Sequence, residues 1–176
     1  MVTLLPRPLP SGLLILGIDP GLATTGYGLV LLSGDRSQAV AYGALRIQKR
    51  RPLAERLRQI YDGIAGVIAE WQPAEVAVED FLVGNVRAAV AIGEARAVVL
   101  LAAAQADLPV FQYQPAQVKQ FVTSYGGSQK VQVQEMVRLL LGLDEAPQPL
   151  DAADALAVAL CHCYQRRQEL LEDSSG

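Results

Sequence analysis

The chain has 176 residues, 51% of them hydrophobic, with 15 basic against 18 acidic side chains and a formal net charge of −3. That length suits one domain with a sizeable core. The charge balance excludes the overall basic signature of many nucleic-acid-binding domains, although the distribution of charge matters more than its sum. Cys161 and Cys163 lie too close together on one helix to build a disulfide framework, so a reducing, cytoplasmic setting is expected. Residues 1–12 contain three prolines and no apolar stretch of signal-peptide length, and read as a flexible lead. Residues 13–168 read as a single domain and 169–176 as a frayed, polar tail.

Residues 13–18 form an apolar run broken only by Gly17, short and branched enough for a strand buried on both faces. It ends at Asp19, and Pro20-Gly21 turns the chain. Residues 26–32 return beside it, with glycines that let another backbone approach closely. A third strand follows over 39–47, completing an antiparallel meander. Pro52 suits the first position of a helix, in which Leu53, Leu57, Ile60, Ile64, Val67 and Trp71 make one buried stripe. Gln72-Pro73 closes it. Residues 74–79 read as a buried strand parallel to the first, ending at Glu79. A loop over 80–85 leads into an Ala-rich helix to about Ala106. Arg87, Glu94 and Arg96 within that helix argue against a membrane span. A fifth strand covers 108–113, and Pro115 opens a helix to about Thr123. Gly126-Gly127 breaks the chain, and Ser128 is expected to cap a helix to Leu141. A linker over 147–150 precedes a last helix from Leu150 to about Leu170. The fold class is α/β: a mixed five-stranded sheet, an antiparallel meander followed by parallel strands, with helices on both faces.

Four acids stand out against this background. Asp151 and Asp154, three apart, project from one helix face, and they are the only acids between Leu150 and Cys161. Two like charges on an apolar, packed helix repel each other and resist desolvation, and a bound cation removes both costs. Asp19 and Glu79 end strands that a right-handed crossover makes neighbours, at the carboxyl edge where open α/β sheets place their sites. Four carboxylates without His or Cys suit Mg²⁺, with Mn²⁺ able to substitute, rather than zinc. Such a set can hold two ions that activate a water and stabilise a leaving oxygen in phosphodiester hydrolysis. Asp80 alternates to the other side of its strand. Cys161 and Cys163 point about 200° apart on a helix and cannot share an ion, and His162 is too far along the axis from Asp151, so these three read as packing residues.

With those residues in place, the chain resembles the RuvC family of bacterial Holliday junction resolvases. The resemblance rests on ILGIDPGLATTGYGLV, AVED, IGEARAVVLLAAA, LPVFQYQPAQVKQFV, KVQVQEMVRLLLGL and DAADALAVALCHC, in order, from Leu13 to about Cys163. It implies a ribonuclease-H-like fold, a homodimer and Mg²⁺-dependent paired nicking of four-way DNA junctions. The family's acidic quartet falls on Asp19, Glu79, Asp151 and Asp154, and its DNA-facing lysines fall on Lys119 and Lys130. A branch-migration helicase complex is the implied partner. Members often carry two aromatic or bulky residues shortly after the strand-end Glu, set against the junction centre. Here the segment is EDFLVGNVR, about a residue shorter, which puts that wedge role on Phe81 or Leu82.

Lys130 also stands out by position. It falls in the first turn of its helix, where a cation opposes the macrodipole unless a phosphate comes to that end. Ala88, Ala89, Ala91, Ala95 and Ala97 would allow close helix approach across a two-fold interface. Three alternatives remain open on the sequence: a related nuclease acting on RNA or other branched DNA, a non-catalytic scaffold of this fold, and an actin- or sugar-kinase-like ATP-binding protein. The last needs a second such domain and a Gly-rich adenosine site.

Overall fold

The computed structural model describes residues 1–5, 7–80, 86–127 and 129–173. The elements are β1 (Val2–Thr3), β2 (Leu13–Asp19), β3 (Thr24–Ser33), β4 (Arg36–Arg46), α1 (Leu53–Trp71), β5 (Glu75–Glu79), α2 (Val86–Gln105), β6 (Val110–Tyr113), α3 (Pro115–Thr123), α4 (Lys130–Leu141) and α5 (Leu150–Asp173). The strands form one sheet in the order β1-β4-β3-β2-β5-β6. The β2–β3–β4 meander is antiparallel, and β5 and β6 add to β2 in parallel.

The sheet therefore has six strands where five were expected. The sixth is β1, drawn from the stretch read as a lead. It pairs Val2 with Tyr42 and Thr3 with Ala41, and the N–H groups of Leu4 and Leu5 both donate to the Val40 carbonyl. Both β1 side chains are exposed, so no hydrophobic alternation marks the strand; backbone pairing alone makes it. At the other end, α5 continues to Asp173, past the point where fraying was expected, with Arg166 pairing Glu169 one turn on.

Strand alternation divides the core into two layers. Leu14, Leu16 and Ile18 of β2, with Val76 and Val78 of β5, face α1 and α2. Ile15 and Ala77 face the opposite layer, built from α3, α4 and α5. In α1 the stripe Ile60, Ile64, Val67, Ile68 and Trp71 is buried, and the helix stops at Gln72, whose left-handed φ of 49° precedes Pro73. Pro52 is the residue before the first turn rather than within it. Ser128 lies outside the described residues. The α4 cap is Gln129, whose side chain and that of Gln132 each accept from the other's backbone N–H.

The last helix meets the sheet most closely over two glycines. A Cβ on Gly26 would collide with the Asp151 carbonyl, and one on Gly17 with the Ala155 carbonyl and, at 2.8 Å, the Ala159 nitrogen. Ala152, Ala153, Ala155, Ala157 and Ala159 complete the close fit from the helix side. Gly26 is also the register partner of Asp19. The contact that seats α5 is thus the contact that brings Asp151 beside the end of β2.

Candidate active site

The strand register brings the first two acids together. β2 and β5 pair in parallel through Ile18 and Val78, so Asp19 and Glu79 are the next residues on adjacent strands. Their side chains share a hydrogen bond. Burial, followed by the charges of Glu79 and Asp154, raises Asp19 well above the ordinary carboxyl range. Burial and then Asp154 push Glu79 up to about 7, against the opposing effects of the Asp19 bond, Lys130 and Lys119. Asp151 adds to the field on Asp19. All four acids are therefore in mutual electrostatic reach at one end of the sheet.

Lys130, at the first position of α4, forms an ion pair with Asp154. Burial lowers the lysine's pKa, but the Asp154 bond outweighs it, so the group is held above its ordinary range. Lys130 is thus inside the acid cluster, a pairing that sequence position alone did not suggest. Lys119 is half-buried on α3 and close enough to Glu79 to favour its charged form. Asp80 donates its N–H to the Tyr113 carbonyl, and its carboxylate lies 3.5 Å from Arg96 on α2, apart from the quartet. Phe81 and Leu82 lie outside the described residues.

The donor set fits a hard divalent cation. It is all oxygen, partly buried and strongly self-repelling, and the Lys130 ammonium supplies positive charge to it. Among the described residues no three acidic, His or Cys side chains converge on one point. Asp19 is turned to Glu79, and Asp154 to Lys130. Holding a metal would require Asp154 to turn from Lys130 toward the other acids.

His162 is buried, as expected of a packing residue, but it is also the centre of a polar network. Its Nε2 is 2.7 Å from Glu75 Oε2 and its Nδ1 2.6 Å from the Tyr113 hydroxyl. Arg166 Nε donates to the same Glu75 oxygen at 2.9 Å, and its second nitrogen pairs with Glu75 Oε1. Phe111 stacks on the imidazole at 4.3 Å. The available signal was Glu75, an acid opening the apolar strand that ends at Glu79, together with His162 and Arg166 one turn apart on α5. Cys161 and Cys163 are buried free thiols, both pushed upward by burial.

This network ties α5 to β5 and β6, and its titration has a defined sign. Burial favours the neutral form of Glu75, but bonds from Arg166 and His162 outweigh it and hold the carboxyl below its ordinary range. Burial depresses His162 despite the Glu75 bond. Both groups take up protons more readily when unfolded, so their contribution is present near neutrality. It is lost as pH falls below about 6.5 for His162 and then below about 4.5 for Glu75. Glu75→Gln is expected to cost about 2 kcal/mol or more at pH 7, read from the urea midpoint, and to flatten the acid limb of stability. An unchanged midpoint would show that the network contributes nothing.

Comparisons with known proteins give the family. The family model described as Crossover junction endodeoxyribonuclease RuvC matches residues 15–162. A protein of that name from Heliobacterium modesticaldum is 52% identical over 150 residues, covering 85% of this chain and 93% of the relative. One from Desulfitobacterium hafniense is 52% identical over 153 residues, covering 86% and 93%. Among solved structures, Thermus thermophilus RuvC in complex with a Holliday junction substrate superposes with a TM-score of 0.82 at 36% identity, covering 89% of this chain and 96% of that one. An edge of acids on a ribonuclease-H-like sheet, matched over most of its length by these relatives, identifies the chain as a member of the RuvC family of crossover junction endodeoxyribonucleases.

Proposed function

We propose that this chain carries out its family's reaction, the resolution of Holliday junctions by nicking DNA strands, with Asp19, Glu79, Asp151 and Asp154 as its catalytic acids. The observation that carries the assignment is the placing of these acids at one sheet edge, with Asp19 and Glu79 at the ends of paired parallel strands and Asp154 on Lys130. Residues 13–168 form the nuclease domain. The four carboxylates would hold Mg²⁺, with Mn²⁺ able to substitute, as two ions per site. Bound there, the metal supplies Lewis acidity for attack of water on the scissile phosphodiester and for departure of the 3′ oxygen. The protein's own part is positional. β2 and β5 present Asp19 and Glu79 side by side, Gly26 admits the α5 backbone, and Lys130 leaves Asp154 to meet a phosphate. Cleavage of a synthetic four-way junction with Mg²⁺, beside linear duplex and RNA of the same sequence, tests the reading. Equal cleavage of linear duplex or RNA would overturn it.

Lys119 and Lys130 serve DNA phosphates in this reading. Each contact releases counterions, so Lys119→Ala or Lys130→Ala should flatten the dependence of log K on log salt by about one unit, with Ca²⁺ replacing Mg²⁺ to block catalysis. Junctions of any sequence should weaken about equally, because phosphates carry no base information. A wild-type slope in both variants would make them ordinary surface charges. The wedge role stays with Phe81 or Leu82.

A homodimer supplies the second site that paired nicking needs. The helix α2 offers the face for it, although Ala95, one of the small residues expected there, is buried within the subunit. The exposed stripe is instead Val86, Val90, Ala97, Leu101 and Ala104, at helical spacing, with Val86 80% and Val90 56% exposed. Ala88–Gln105 is long and apolar enough to cross a bilayer. Its other face, with Ala95, Val99 and Ala103, is buried in the layer shared with α1. Sedimentation should show a dimer that Leu101→Glu dissociates; a monomer that still makes paired nicks would overturn this. A branch-migration helicase complex is the partner implied by the family, and two free buried thiols suit a cytoplasmic enzyme.

A further inference from the structure

The cations of this acidic chain are unevenly placed. Six of them (Arg46, Lys49, Arg50, Arg51, Arg56 and Arg58) fall within residues 46–58, where Glu55 is the one acid. Arg51 pairs with Glu55 at 3.4 Å, and Arg56 donates to the Leu22 carbonyl at 2.7 Å. Arg46, Lys49, Arg50 and Arg58 are exposed and have no ion-pair partner among the described residues. By contrast Arg96, Lys130, Arg138 and Arg166 are all matched to acids.

The topology puts this group at the catalytic edge. Asp19 pairs with Gly26, Gly26 with Ala44, and Thr24 with Arg46. Two strand spacings across and two residues along place the Arg46 backbone about 12 Å from that of Asp19. The Ile47 N–H donates to Ala23 and Arg56 to Leu22, so the loop after β4 and the first turn of α1 are fastened to the turn after β2. The cations therefore extend outward from the acids along one rim. They lie on the α1 side, opposite Lys119 and Lys130, which approach from α3 and α4. A span of 12 Å corresponds to roughly three to four base pairs of duplex.

We propose that Arg46, Lys49, Arg50 and Arg58 form an arm-binding rim that holds the phosphate backbone of the duplex flanking the scissile phosphate. The inference rests on the junction-cleaving reading and adds where a junction arm lies on the surface. The rim has no side chains buried or built to read bases, so it grips sequence-independently and sets affinity and salt dependence. Unpaired, solvated cations cost nothing to keep and release counterions from DNA at each contact.

The test compares wild type with Arg46→Gln/Lys49→Gln/Arg50→Gln/Arg58→Gln, in Ca²⁺, over a salt series. Two four-way junctions of equal size are used, one with phosphate along its whole length (long charged arms) and one whose phosphates beyond about the third base pair of each arm are uncharged methylphosphonates (short charged arms). For long charged arms the variant should show a salt slope shallower by about two to four units and an affinity lower by about ten- to a hundredfold at moderate salt. For short charged arms variant and wild type should agree. Equal slopes on long charged arms, or equal loss on both junctions, would overturn the arm-binding rim. Failure of the wild type to bind either junction would instead overturn the junction reading itself. All four side chains are exposed, and an unchanged thermal midpoint confirms that the variant is folded.

Discussion

Replacing Asp19 by Asn or Glu79 by Gln should abolish junction cleavage and, at the same time, make the metal-free protein more stable. Each change keeps the shape of a ligand but removes its charge, so cleavage should fall at least a thousandfold, on the scale set by loss of a central catalytic group. Binding to the junction in Ca²⁺ should persist. The stability gain follows from the raised titrations. Burial is the first cause for both groups, and repulsion from neighbouring acids adds to it, leaving Glu79 at about 7. A carboxyl whose folded pKa lies above its unfolded value favours the folded state in acid. That advantage disappears as pH rises from about 4.5 to about 7, and above that the ionised group is a standing cost. Gln at position 79 removes the cost, by about 2 kcal/mol, or roughly 5 °C in a chain of this size, and Asn at position 19 acts in the same direction. The difference between variant and wild type should be largest at pH 8 and close at pH 4. Adding Mg²⁺ should raise the wild-type midpoint at pH 8 and leave the variants little changed. A variant that cuts normally would remove that residue from the site. One that loses stability at pH 8 would show that the acid cluster is not under strain.

Gly26→Ala should disable the enzyme from a position that carries no functional group. The added methyl would meet the Asp151 carbonyl where there is no room, and α5 must lift at its first turn. A displacement of about 1 Å in a catalytic geometry costs on the order of a hundredfold in rate. Overpacking of this kind costs about 1–3 kcal/mol. Gly12→Ala provides the control, because its methyl meets the Leu32 carbonyl at 2.6 Å, at the opposite end of β2 from the acids. The two variants should lose similar stability, while single-turnover cleavage falls much further for Gly26→Ala. Equal rate losses would mean that both act only through general destabilisation. A wild-type rate for Gly26→Ala would show that Asp151 does not depend on this seat.

Much of this was legible in the residues. The apolar run to Asp19, the second one to Glu79 and the DxxD pair on an apolar helix define three elements, and crossover rules bring their ends together. Even the glycines beside Asp19 signalled a close backbone approach, though not which backbone. Other features left no local trace. β1 is two exposed residues held by backbone pairing, which hydrophobic pattern cannot register. The Gln129 cap replaces a more favoured serine because Gln132 returns the bond, a reciprocal effect that single-residue preferences miss. The Lys130–Asp154 pair joins residues 24 apart through the packing of α4 on α5, and Glu75, His162 and Tyr113 meet only once the sheet and α5 have been stacked. Such tertiary polar contacts depend on geometry that no periodicity encodes.

The seating of α5 on two glycines has a mechanical consequence. With the Asp151 carbonyl against Gly26 and the Ala155 carbonyl against Gly17, the acid-bearing end of the helix meets the strands backbone to backbone at these two points. Asp19, Asp151 and Asp154 are therefore mounted on one close-packed frame, in which loosening the acid edge loosens the interior with it. On warming, catalytic competence and the hydrophobic interior should fail together, at one temperature, rather than the chemistry fading first.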